Sequence, residues 1–151
     1  MNFYISYFYN IRFFPVSMLP VSTAVYDPKW YHNFRSKDVV FRDKRNVING
    51  VRADILSPYK IENCECRECT AKDPTKCSFI RDYRSYLFSL DFSSVYDNMS
   101  DLSKRFDCQD ICLMVYEKPD NPCSERSSLV EWFSHNGIEL KEFSRDSFLH
   151  S

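Results

Sequence analysis

Apolar and polar positions change period several times along the chain, and each change predicts an element. Near the start, "NFYISYF" (2–8) and "LPVSTAV" (19–25) are aromatic and β-branched runs of strand length. The link "YNIRFFPVSM" between them is too short for a crossover helix and predicts one helical turn and a loop. "DPKWYHNF" (27–34) follows as a loop or short helix start, since a proline after aspartate suits a first helical position. Residues 38–58, "DVVFRDKRNVINGVRADILSP", alternate roughly between apolar and polar. With Asn49-Gly50 as a turn dipeptide they predict a hairpin excursion that ends at Pro58.

The period then lengthens. Asp73-Pro74 opens a helix with Ile80, Tyr83, Leu87 and Leu90 on one face. Ser93 or Ser94 caps a second, in which Val95, Met99, Leu102 and Phe106 form an apolar stripe. "ICLMVY" (111–116) has no polar alternation, the pattern of a strand buried on both faces. A third helix runs from about Ser124, turning Leu129, Val130 and Phe133 inward, and Asn136-Gly137 stops it with a left-handed cap. "IELKEF" (138–143) alternates and predicts an edge strand. This order is that of an α/β protein. Right-handed crossovers make its small core sheet mainly parallel, within a single-domain three-layer sandwich spanning 1–145, and residues 146–151 form a tail.

Composition narrows the chemistry. Among 151 residues, 44% are apolar and 17% aromatic, enough for a real core. The net charge of −1 gives no general field for nucleic acid or an anionic membrane, so generic nucleic-acid binding is not expected. Gly50 and Gly137 are the only glycines, so neither a P-loop nor a dinucleotide fingerprint can be written, and no nicotinamide or flavin is expected. With three histidines there is no H-E-x-x-H, and no G-x-S-x-G elbow exists. Asn10, Arg12, Pro15 and Pro20 interrupt the apolar start. That start therefore reads as two buried strands, not as a leader or membrane anchor.

Seven cysteines, an odd count, point to a reducing, cytoplasmic compartment. Cys64, Cys66, Cys69 and Cys77 are spaced C-x-C-x2-C-x7-C in a polar loop (about 62–77) that has little core to order it. Four thiolates at that spacing suit a structural tetrahedral zinc, with thiols or a disulfide as the alternatives.

The stretch "YEKPDNPCSERSSLVEWF" (116–133) is where activity is expected. Ligands of parallel α/β sheets collect outside the carboxyl ends of the strands, and Tyr116 and Glu117 stand at such an end. Cys123 falls at the start of the next helix, where unpaired N–H groups and the helix dipole favour a thiolate, with Arg126 in the first turn. Cys123 is thus a candidate nucleophile, Arg126 an oxyanion or phosphate contact, and Glu117 a proton handler. Glu125 is a further carboxylate at the pocket, which pairs with Arg126 or abstracts a proton. The plainer alternative makes Ser124 a helix cap and Cys123 a buried filler.

"CLMVYEKPDNPCSERSSLVEWFSHNGIELKEF" resembles the C-terminal signature of the domain of unknown function 488 family, where a buried strand ends in a Glu-Lys pair and a cysteine begins the next helix. "YISYFYNIRFFP", "VSTAVYDPKWY", "INGVRADILSP" and "YRSYLFSLDF" resemble further segments of that family's phage-type branch, in the same order. Many relatives read Cys-His-Arg at the helix start. Here the residues are Cys123-Ser124-Glu125-Arg126, and no histidine base carries over. The resemblance implies an α/β sandwich, a pocket walled by Ser6, Tyr7, Ser22, Lys29, Trp30 and Tyr31, and a phage protein working in the host cytoplasm. Trp30 would stack on a planar ring while Lys29 or Arg126 meets a phosphate. Two functions follow as expectations. One is binding or processing of a nucleotide- or nucleobase-like ligand; the other is a non-enzymatic protein that binds a host or defence component.

Overall fold

A computed structural model describes residues 1–15, 17–32, 51–58, 77–117, 119 and 124–145. The expected hairpin turn at Asn49-Gly50, most of the cysteine loop, Cys123 and the tail lie outside these residues.

The described residues form one sheet of five parallel strands, in the order β3-β2-β4-β1-β5. They are β1 (Asn2–Tyr7), β2 (Met18–Ser22), β3 (Val51–Arg52), β4 (Asp110–Val115) and β5 (Leu140–Glu142). β4 lies between β2 and β1, in register Val21↔Leu113 and Ile5↔Leu113. All six of its residues are buried, which is why its sequence lacks alternation. Val51 and Arg52 pair in parallel with Val21 and Ser22, so the described end of the expected hairpin is an edge strand of the main sheet.

Strand alternation divides the core in two. Phe3, Ile5, Leu19, Val21, Ile111, Leu113 and Val115 face the helices α1 (Ser78–Ser89), α2 (Phe92–Arg105) and α3 (Glu125–His135), meeting Tyr83, Leu87, Val95, Met99, Leu129, Trp132 and Phe133. Met18, Cys112 and Met114 face the opposite side. There Phe8, Ile11, Phe14 and Tyr31 cover them from two 3-10 turns, Phe8–Phe13 and Lys29–His32. Among the described residues the third layer is therefore 3-10 turn rather than α-helix, because the link from β1 to β2 has room for nothing longer. Pro20 sits inside β2, just before the first β3 pair, and its carbonyl accepts the Tyr31 hydroxyl at 3.0 Å.

The helix stripes are met closely. Ile80, Tyr83 and Leu87 are buried on α1, and Val95 and Met99 on α2. The cap of α2 differs from expectation. Asp91, not Ser93 or Ser94, is the N-cap; its carboxylate accepts the Ser93 N–H at 3.3 Å and the Ser94 hydroxyl at 2.7 Å. The earlier start lets Phe92 lie edge-on to Trp132 and Phe133, with centroids 4.9 and 5.3 Å away. The end of α3 is a Schellman motif, with Ile138 N–H donating to Phe133 O and Gly137 N–H to Ser134 O, both at 3.0 Å. Gly137 has φ +79°, and a Cβ there would meet nothing within 4 Å. Gly137→Ala is therefore expected to cost about 1 kcal/mol from backbone strain alone, measurable by urea denaturation. A neutral result would show that the turn relaxes out of the left-handed region.

Candidate functional site

All five strands run the same way, so Tyr7, Ser22, Arg52, Tyr116 and Glu142 mark one carboxyl edge. The chain leaves β1 toward the 3-10 face and leaves β4 toward the α-helical face. Since β1 and β4 are neighbours, their carboxyl ends flank a topological switch point, where open α/β sheets bind ligands.

Two polar centres occupy this edge. The first is a cavity of about 330 Å³ lined by Ala24, Val25, Tyr26, Pro58, Phe79, Tyr116, Glu117 and Glu125. Glu125 begins α3, directly after the N-cap Ser124, whose Oγ accepts the Arg126 N–H at 3.1 Å and donates to Glu117 Oε2 at 3.3 Å. Glu125 is only 5% exposed. Burial, then the nearby charge of Glu117, push its carboxyl from an ordinary 4.5 up to about 8, against opposing help from its own backbone N–H and Arg126. At neutral pH the cavity thus holds a protonated carboxyl able to donate, beside the Glu117 side chain. Tyr116 is half exposed and Tyr26 largely so, and they form the aromatic rim.

Beside the cavity's Ala24 wall lies a half-buried ion pair. The Asp27 carboxylate accepts from Arg52 Nη1 and, at 2.5 Å, from the Ser22 hydroxyl. Arg52 also donates to Ala24 O at 2.6 Å and to Asp54 Oδ1 at 2.9 Å. Ser57 Oγ adds a bond to the same Ala24 carbonyl at 3.2 Å. The network ties β3 to the loop after β2.

The second centre is Arg126, 8% exposed. Its Nη1 donates to Glu117 O at 2.7 Å, and its Nε lies 2.5 Å from Glu142 Oε1. The guanidinium thus spans from the end of β4 to the end of β5, across the end of β1 between them. Burial raises the Glu142 carboxyl despite the opposing Arg126 charge. Arg126 also lines a cleft of about 790 Å³ with Arg84, Phe88, Ser124, Ser127 and His135, between α1 and α3. Arg84 and Glu131 close a bidentate pair there.

The residues expected from sequence divide accordingly. Tyr116, Glu117 and Glu125 come together at the cavity. Arg126 turns the other way, with its charge already met by Glu142 and the Glu117 carbonyl. Cys123 lies outside the described residues. Ser6 is fully buried and accepts from Asn10 Nδ2 at 2.9 Å. Tyr7 stacks on Tyr9 at 6.0 Å. Ser22 is bound into the Asp27 network beside the cavity. Trp30 packs edge-on to Phe8 and Tyr31, both centroids 6.4 Å away, on the 3-10 face. Tyr31 is buried there, its hydroxyl bonded to Pro20 O and Val51 O. Lys29 is exposed and is not among the cavity's lining residues. Cys64, Cys66 and Cys69 are outside the described residues, while Cys77 is buried at the N-cap of α1.

Tyr26, Phe79, Asp27, Arg52 and Glu142 were not anticipated. Glu142 is exposed on its edge strand, as alternation predicts, and its pairing with Arg126 across from α3 has no signal in the local pattern. Matching the chain against protein-family models, curated proteins and solved structures returned no match in any of the three. Among the described residues no helix is long and apolar enough to cross a membrane.

Proposed function

We propose that this α/β domain binds a small planar ligand of the nucleobase type at the carboxyl edge of its sheet. The observation that supports this reading most is the Glu117–Glu125 pair inside the aromatic-rimmed cavity. Glu125, protonated at neutral pH, is a donor, and Glu117 supplies acceptor oxygens. A base edge offers the complementary acceptor and donor side by side, and its ring fits against Tyr116, Tyr26 or Phe79. Two carboxyl groups disfavour a phosphate in the same cavity, so the base is preferred to the nucleotide as the group held there. The resemblance to the domain of unknown function 488 family is compatible with a pocket at this position.

The test is calorimetric titration with free purine and pyrimidine bases and with the matching mononucleotides, at pH 6.5 and 9. Bases are expected to bind at pH 6.5 and at least tenfold more weakly at pH 9, where Glu125 has lost its proton. Tighter binding of mononucleotides than of bases, or no binding of either, would sink the reading.

The second reading, a protein that docks on a host component, draws on another surface. Tyr7, Tyr9 and Phe13 form a run of ring contacts, with Arg12 over Tyr9 at 4.0 Å and Arg145 over Phe13 at 4.4 Å. Tyr9 is half exposed. The carboxyl-lined cavity has no role in that reading. A structural zinc held by Cys64, Cys66, Cys69 and Cys77 is compatible with either, and native mass spectrometry of the intact chain would weigh it directly.

A further inference from the structure

Arg126 presents a second recognition element, separate from the base cavity and independent of that reading. A guanidinium has three edges, and the edge made by Nε–H and Nη2–H is a fork that takes two oxygens of one carboxylate or phosphate in parallel. In this chain both nitrogens of that edge are buried, and neither has a hydrogen-bond partner among the described residues. Nε is ion-paired with Glu142 Oε1 at 2.5 Å, and Nη2 has no partner among the described residues. The third nitrogen is anchored on Glu117 O, so the plane of the group is held. A buried donor without a hydrogen-bond partner is costly, and Nη2 is such a donor on a guanidinium whose charge is otherwise paired.

Glu142 itself is the obvious competitor. It approaches one prong of the fork only, and its side chain is 36% exposed. Turning it outward would open the edge to solvent from the β5 side. The opposing carboxylate that flanks the other centre, Glu125, points into the base cavity and is not on this edge.

We propose that the Nε–Nη2 edge of Arg126 is an oxyanion site, taking a phosphate or carboxylate group in two parallel hydrogen bonds, with Glu142 as the side chain displaced. The experiment follows the Arg126 Nε–H signal by proton–nitrogen NMR on the full chain. Inorganic phosphate and acetate are titrated separately, at ionic strength held constant with chloride. A saturable movement with one or both anions is expected, and which anion produces it assigns phosphate or carboxylate. Glu142→Gln leaves the fork in place and removes the competing charge, and is expected to tighten the response about tenfold. Arg126→Lys keeps the charge without the fork and is expected to abolish a phosphate effect on thermal stability. The absence of a saturable response in both the wild type and Glu142→Gln overturns the proposal. So does an Arg126→Lys protein as responsive as the wild type. If Arg126→Lys does not fold, the Glu142→Gln titration decides alone.

Discussion

Glu125→Gln is expected to make the protein more stable in alkaline solution and to leave it nearly unchanged in acid. The folded carboxyl titrates near 8, against an ordinary 4.5, because burial and then Glu117 oppose its ionisation. Below the ordinary value both folded and unfolded chains hold the proton, and the stability associated with the neutral group is fully present. Between the two values only the unfolded chain ionises, and stability falls by up to about 1.4 kcal/mol per pH unit. Above the folded value the loss is complete, roughly 5 kcal/mol. Glutamine has the shape of the protonated acid and does not titrate. The gap between variant and wild type should therefore open from about pH 5 and level off above pH 8. Urea denaturation at pH 5 and pH 8.5 measures it. Glu117→Gln removes the second cause and should move the inflection to lower pH. Stability curves of wild type and Glu125→Gln that run parallel across this range would show that Glu125 is not buried as described.

The other large effect belongs to Arg52. Its guanidinium meets an Asp27 carboxylate whose side chain is only 4% exposed, and it also holds the Ala24 carbonyl. Arg52→Ala leaves that carboxylate buried without its guanidinium and frees the end of β3. Breaking a fully buried pair costs about 3–5 kcal/mol; with the Arg52 side chain 22% exposed, the loss is expected at the low end, about 3 kcal/mol. Replacing Asp27 by Asn in the same chain removes the charge that has lost its guanidinium and is expected to recover part of the loss. Because Ala24, Val25 and Tyr26 wall the cavity, Arg52→Ala should also weaken ligand binding more than its stability loss alone would. A cost below 1 kcal/mol would mean that water takes over the pairing and the loop is held by other contacts.

These two residues show where sequence reasoning reaches and where it stops. The edge at which ligands gather was legible, because "ICLMVY" followed by a capped helix specifies a buried parallel strand and its exit. The plainer alternative, which made Ser124 the helix cap, is right about that residue. The α3 stripe was incomplete: Trp132, 2% exposed, packs with Phe133 against Phe92. The burial of Glu125 and Arg126 was not legible at all. Acidic and basic residues in a first helical turn ordinarily sit in water, and nothing in their spacing says that the turn is pressed against Glu117 and β5. Asp27 and Arg52 are far apart in sequence and lie in segments read as a loop and a hairpin, so no local pattern could join them. Trp30 was placed in the pocket by the family resemblance, and packing sets it on the 3-10 face with Phe8 and Tyr31.

What the sequence determined by itself is the class and order of the elements: the periods of apolar residues, the Asn136-Gly137 stop, and a link too short to hold a helix. Those are local properties, fixed by backbone geometry and by which side of an element must leave water. Only the tertiary structure decided which polar groups are removed from water together. The strand order puts the ends of β2, β4, β1 and β5 side by side, and that adjacency sets the neighbours of Glu125, Asp27 and Arg126. Their protonation and pairing depend on those neighbours across short distances in a medium that screens charge poorly, and that is information no stretch of the chain carries alone.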